Sequence, residues 1–225
     1  MRLAILIPTL DEARSVEATL ANARRFADEV IVVDGGSTDD TRALAGHFAD
    51  VVLQAPPGRG GQIARGVREA RERRADVALV LHADSQLAPG AREAIEEAVD
   101  QGYVGGGFEV RFDSPKRRFR WGERFVNWRS RTFGVPLGDQ AQFATMTAIE
   151  AVGGFPLSPI LEDLQFMRRL RSYGSLAVLR PSVTTSARRL ERGTLSQVAR
   201  NWSIWLLYFV GVSPERLARL YRMQR

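Results

Sequence analysis

The sequence predicts an α/β fold: a central, mostly parallel sheet flanked by helices, ending in a helical C-terminal segment. Two features point there. Short β-rich runs alternate with helical patterns over the first hundred residues, and each run is almost unbroken in apolar residues, as happens when helices cover both faces of a sheet. "LAILIP" is the first strand, and Val16, Leu20, Ala23 and Ala27 then recur at helical spacing on one face. "EVIVVD" is the second strand, followed by the short helix "DTRALAGHF"; "DVVLQ" is the third, followed by the helix "GQIARGVREARERR". "DVALVLHAD" is the fourth. Beyond residue 110 the pattern loosens into a basic aromatic segment at 116–133, a mixed block at 138–171 and an apolar segment at 194–222. No linker marks a boundary, so residues 1–225 are expected to form a single domain, whose two halves, 1–113 and 114–225, differ in character.

Composition narrows the function classes. An apolar content of 44% with 26% charged residues excludes disordered and fibrous chains. Without cysteine there is no disulfide, thiolate metal site or thiol nucleophile, which fits a cytoplasmic location. The opening "MRLAILIPTLDEARS" is too poor in apolar residues for a secretory signal, and nothing reaches the roughly 18–20 apolar residues a spanning helix needs. The net charge of +6 is unevenly spread: residues 1–113 carry −6 and residues 114–225 carry +12. Lys116 is the only lysine among 32 basic residues, an arginine excess that genome composition produces as readily as selection does. The distribution is the better guide: an acidic half is joined to a basic half, an asymmetry that bears on partners and not on fold.

In an open α/β sheet the turns after the strands emerge at one edge, where ligands bind. Here those turns are "PTLDEA", "DGGSTDDT", "PPGRGGQ" and "HADSQLAPG", which gather Asp11, Glu12, Asp34, Asp39, Asp84 and a glycine-rich loop. Singly, Ser37, Thr38 and Asp39 read as helix caps and Gly35 and Gly36 as turn residues. Four such turns in register point instead to a site, with a cation or ligand donors between the carboxylates.

In order and spacing, "IPTLDE", "VVDGGSTDDT", "GRGGQIARG", "LHADSQL", "GGFP" and "LEDLQFMRRLRSYG" resemble the family 2 glycosyltransferases, enzymes of the GT-A fold, over nearly the whole chain. The resemblance implies an inverting, metal-dependent transfer of a sugar from a UDP- or GDP-sugar to an acceptor hydroxyl or phosphate. Residues 1–113 become the donor half and 114–225 the acceptor half. It implies a nucleotide pocket at Pro8, Thr9, Glu12, Asp34 and Gly60, with Asp34 accepting from base or ribose. The family's DxD motif, which holds Mg²⁺ or Mn²⁺ on the diphosphate, here reads His82-Ala83-Asp84. Asp84 matches the metal ligand; His82 is either a ribose or structural contact or an imidazole ligand of Mn²⁺. The family's catalytic acid pair falls on Glu162 and Asp163, with Asp163 as the general base. Where longer members carry QxxRW this chain has "VTTSARRL", leaving Arg188 and Arg189 to neutralise the diphosphate. "GDQAQF" lies at the acceptor contact, through Asp139 and Gln140.

Seven basic residues between Lys116 and Arg131 are interleaved with Phe119, Trp121, Phe125 and Trp128. At helical spacing Trp121, Phe125 and Trp128 share a face, read as core, as a peripheral contact with an anionic membrane carrying a lipid acceptor, or as stacking and phosphate contact with nucleic acid. "WSIWLLYFVGV" reads as a dimer interface or a lipid contact. Two rival functions remain. A sugar-nucleotide nucleotidyltransferase would carry a glycine-rich start with a lysine, and a nucleic-acid binder would leave the acidic rim idle.

Overall fold

A computed structural model describes residues 1–188, 203, 207–208 and 210–223. β1 (Leu3–Thr9), β2 (Glu29–Asp34), β3 (Val51–Gln54) and β4 (Val77–Val80) alternate with α1 (Val16–Ala23), α2 (Thr41–Ala45) and α3 (Arg59–Glu72). There follow β5 (Ser85–Leu87), α4 (Ala91–Asp100), β6 (Gly105–Asp113), α5 (Arg117–Phe133), β7 (Phe143–Thr145), α6 (Met146–Ala151), α7 (Glu162–Tyr173), β8 (Leu176–Ser186) and α8 (Pro214–Met223). The strands make one sheet in the order β3-β2-β1-β4-β7-β6-β8-β5.

The first four strands pair in parallel, as their apolar runs require. In β1, Leu3, Ile5 and Ile7 pack with Val16 and Leu20 on one face, while Ala4 and Leu6 pack with Ile63 of α3 on the other. Beyond β4 the sheet is mixed: β7 runs antiparallel to β4 and β6, and β5 antiparallel to β8, while β6 and β8 are parallel.

The basic aromatic segment is the helix α5, but its aromatic stripe is not core. β7 pairs only with Gly105 and Gly106 of β6, so the rest of that strand edge needs other partners. Side chains supply them. Gln140 Nε2 donates to Phe108 O (2.8 Å), and the side chain of Asn127 both accepts from Val110 N (2.8 Å) and donates to Val110 O (3.0 Å). Glu123 Oε1 accepts from Phe112 N (2.5 Å), and Arg120 donates to Phe112 O (2.6 Å). The face of α5 turned inward is therefore Phe119, Glu123, Asn127 and Ser130. This leaves Trp121, Phe125, Trp128 and Phe133 between 45% and 70% exposed. Reading the stripe as buried assumes that a helix always turns its apolar face inward. Here an unpaired strand edge selected the polar one. Arg189 and residues 202, 204–206 and 209 of the apolar segment lie outside the described residues.

Candidate active site

The four parallel strands end at one edge, and their turns lock together there. Asp34, fully buried at the end of β2, accepts from Thr9 Oγ1 (3.2 Å), Ser37 Oγ (2.5 Å), and Gly36 N and Ser37 N (both 2.9 Å). Asp11 Oδ1 accepts from Thr38 N (2.8 Å), and Asp39 Oδ2 from Ala13 N (3.1 Å). The Thr41 hydroxyl bonds Asp39 Oδ1, which holds that carboxylate below its usual pKa. Loop amides and hydroxyls satisfy much of this acidic rim, and Asp34, with both oxygens engaged, organises its own loop.

Gln62, a residue that helical periodicity does not single out, ties the first two strand ends together. Its Nε2 donates to Thr9 O and Val33 O, both at 2.8 Å. Pro8 lies one residue before Thr9 in β1 and is half-buried. Gly60 opens α3 against the loop before α7; a Cβ there would lie 2.6 Å from Pro156 O, so no larger residue fits without moving backbone. Glu12 is buried, accepts from Ser15 Oγ (3.1 Å) and stands 3.5 Å from Nη2 of Arg188, which follows β8.

The centre lies between the turn after β4, the start of α3, the loop 137–142 and the start of α7. His82 Nδ1 is 3.1 Å from Asp139 Oδ1, and His82 Nε2 is 2.5 Å from Nη2 of Arg59. Arg59 Nε lies 3.7 Å from Glu162 Oε1. Glu162 is 7% exposed, and burial raises its pKa, with Arg59 opposing. Asp163 Oδ2 accepts from Gly138 N (2.7 Å) and Oδ1 from Leu164 N (2.8 Å). Gln140, 1% exposed, accepts from Ser130 Oγ (2.7 Å) and Leu137 N (2.9 Å). Its amide therefore braces the loop from inside, and Asp139, with a 46% exposed side chain, is the residue of that pair facing outward. Burial lowers the pKa of Arg129, against the pull of Asp163.

Backbone strain collects here. Asp11, Ala141 and Leu161 all have positive φ, a conformation costly for non-glycine residues and concentrated at functional sites in general. Leu161 immediately precedes the acid pair and sets the angle at which Glu162 and Asp163 enter α7. Two clefts adjoin these residues, one at Arg59 and one at Asp84. One, about 760 Å³, runs between α3 and the loop 153–159 and is lined by Arg59, Gly60 and Arg65. The other, about 410 Å³, is lined by Arg14, Asp84, Asp113 and Arg188.

Among the described residues no three His, Asp or Glu side chains converge as a ready-made metal site. Asp84 is half-buried, faces a cleft, and can offer one hard carboxylate oxygen to a divalent ion whose remaining ligands are phosphate and water. The residues fit a metal that arrives with a diphosphate better than one held alone.

The comparisons agree with this architecture. Over 132 residues, 55% of this chain and 42% of that protein, the sequence is 36% identical to the glycosyltransferase AglJ of Haloferax volcanii. It is 33% identical over 99 residues to an uncharacterized glycosyltransferase of Mycobacterium tuberculosis, covering 44% of each. The chain thus spans less than half the length of these curated relatives. Glucosyl-3-phosphoglycerate synthase from Mycobacterium tuberculosis, crystallised with Mn²⁺ and UDP-glucose, superposes with a TM-score of 0.63 at 18% identity, covering 94% of this chain and 80% of that one. S. aureus TarS with UDP-GlcNAc gives 0.64 at 14% identity, over 96% and 69%. These neighbours share the GT-A fold. Residues 4–153 match the family described as Glycosyl transferase family 2, and the chain belongs to that family.

Proposed function

We propose that the chain transfers a sugar, with inversion, from a nucleoside diphosphate donor to an acceptor hydroxyl or phosphate. One observation carries this reading: the donor loops, the His82–Asp84 turn and the Glu162–Asp163 pair meet at a single sheet edge, linked through Arg59 and Gly138. In the reaction the acceptor oxygen bonds to the anomeric carbon as that carbon's bond to the diphosphate oxygen breaks, and the electron pair leaves with the diphosphate. For a hydroxyl acceptor, Asp163 takes the proton. Gly138 N fixes the carboxylate's position, and Asp139 borders the acceptor side. Thr9, Glu12, Asp34 and Gly60 shape the nucleotide pocket, and Arg188 offers a guanidinium to the phosphates. Asp84 would hold Mg²⁺ or Mn²⁺, whose charge, when bound, offsets that of the diphosphate.

The exposed face of α5 supports an acceptor presented at an anionic membrane. It carries Arg117, Arg118, Arg124 and Arg131 beside four aromatic side chains, and its one acid, Glu123, is buried. Ser130 of the same helix bonds Gln140, next to Asp139, so the helix and the acceptor loop are mechanically joined. No helix among the described residues is long and apolar enough to cross a membrane.

A panel of UDP- and GDP-sugars with Mn²⁺ tests the donor reading. A cognate donor at about 100 times its Kd should stabilise the protein by about 2.7 kcal/mol and raise Tm by roughly 5–10 °C, with slow metal-dependent hydrolysis. Stabilisation by nucleoside triphosphates alone would favour a nucleotidyltransferase; no response to any nucleotide would refute the reading.

A further inference from the structure

Where the family carries the first aspartate of its metal motif, this chain holds a histidine with both ring nitrogens engaged. A guanidinium can only donate, so His82 Nε2 accepts from Arg59 (2.5 Å) and the ring proton lies on Nδ1, facing Asp139 Oδ1 (3.1 Å). The lone pair that a metal would need is the one Arg59 occupies. Arg59 Nε is itself buried with no hydrogen-bond partner and lies 3.7 Å from Glu162 Oε1. The guanidinium therefore stands between the turn bearing Asp84 and the acid pair of α7. It lines the 760 Å³ cleft and keeps 31% of its side chain exposed.

We infer that Arg59 is a ligand of the donor's diphosphate, replacing with a resident guanidinium part of the charge compensation that a second motif carboxylate would otherwise recruit through its metal. The inference rests on the donor reading above. An aspartate at position 82 would pair with Arg59 as an ion pair and compete with phosphate for it. A neutral imidazole holds only one of the five N–H groups, leaving the rest of the fork for phosphate oxygens. His82 is then a positioning residue, aiming Arg59 on one side and Asp139 on the other. As the glycosidic bond breaks and its electron pair moves to the phosphate oxygen, Arg59 stabilises the growing charge by hydrogen bonds and keeps its own protons.

The test is nucleotide affinity without metal, since it separates phosphate recognition from the rest of the pocket. UDP, UMP, GDP and GMP are titrated calorimetrically into wild type, Arg59→Gln and Arg59→Lys in EDTA. Wild type should prefer the diphosphate of its recognised base over the monophosphate by at least tenfold, the scale of one charge-assisted hydrogen bond. Arg59→Gln should abolish that preference and hold monophosphate affinity within about threefold; Arg59→Lys, which keeps the charge beside Glu162 without the fork, should fall between. A preference surviving in both variants overturns the assignment, as does an equal loss for mono- and diphosphates, which would make Arg59 a neutraliser of Glu162 alone. Binding of the nucleotides to wild type only when Mn²⁺ is restored would overturn the role of Arg59, and failure of all four to bind even with Mn²⁺ would refute the donor reading itself.

Discussion

Asp163→Asn should separate the chemistry of the base from the stability of its loop. The carboxylate accepts from Gly138 N at 2.7 Å and Leu164 N at 2.8 Å, one bond to each oxygen. Asparagine keeps one acceptor oxygen and turns an amide donor toward the other N–H. One hydrogen bond to a charged group is lost, about 1.5–3 kcal/mol. For a chain of this size each kcal/mol lowers Tm by about 2–4 °C, so the variant should melt roughly 3–12 °C below wild type. Turnover should fall at least 100-fold, as expected for loss of a general base. Nucleotide affinity should not move, because the hydrogen bonds to Asp163 come from Gly138 and Leu164 and not from the donor loops. The control is Asn127→Ala, which strips both bonds from Val110 of β6 and should destabilise comparably without touching the centre. Melting curves, calorimetric titration of the nucleotide, and initial rates with the cognate donor well below both melting points make the comparison. A loss under tenfold in Asp163→Asn removes it as the base. A loss in Asn127→Ala as large as in Asp163→Asn would show that a loosened scaffold, and not a missing base, accounts for the effect.

Burial raises the Glu162 pKa in the folded state, so its folded-state stabilisation is complete below the ordinary value of 4.5 and is lost as pH rises through the higher folded value. The Tm of Glu162→Gln should accordingly gain on wild type as pH rises above about 4.5 and run parallel to it below; a constant difference from pH 4 to 8 would contradict this. Nucleoside diphosphate and Mn²⁺ should each raise the other's affinity by the same factor, and Asp84→Ala should abolish that coupling while His82→Ala keeps it. Calorimetry that finds the coupling lost in His82→Ala would make the imidazole a metal ligand. The protein should sediment with anionic but not neutral vesicles and be released by salt, and Trp121→Ala with Trp128→Ala should remove the binding. A concentration-dependent dimer lost in the same double variant would assign the face to a second copy instead.

Much of this architecture is legible in the sequence because it follows from local rules. Unbroken apolar runs separated by helical patterns require parallel strands covered on both faces, and the order of the turns then brings Thr9, Asp34, Gly60 and Asp84 to one edge. The α5 face is legible in composition and misleading in orientation. The periodicity of Trp121, Phe125 and Trp128 is real, yet the inward face is chosen by the unpaired edge of β6, which no pattern within residues 116–133 reveals. Gln62 is hidden for a similar reason. A glutamine on a polar helix carries no sign that it will bridge two strand ends remote in sequence.

The centre shows most clearly where local reading stops. The departure from the metal motif at His82 is visible at once, and the imidazole's two possible tasks cannot be separated from the turn alone. The close approach of Arg59 from the start of α3 and of Asp139 from the loop before β7, both far along the chain, favours the structural task. A donor-only group on one nitrogen fixes the tautomer, and the tautomer fixes which side of the ring can receive a ligand. The change at position 82 therefore has a consequence for charge as well as geometry. It takes one carboxylate out of the turn and, by accepting a single N–H, keeps a guanidinium beside the turn, where the proposed donor's diphosphate would lie. Loss of an anion and retention of a cation shift the turn in the same direction, toward a leaving group that is negatively charged.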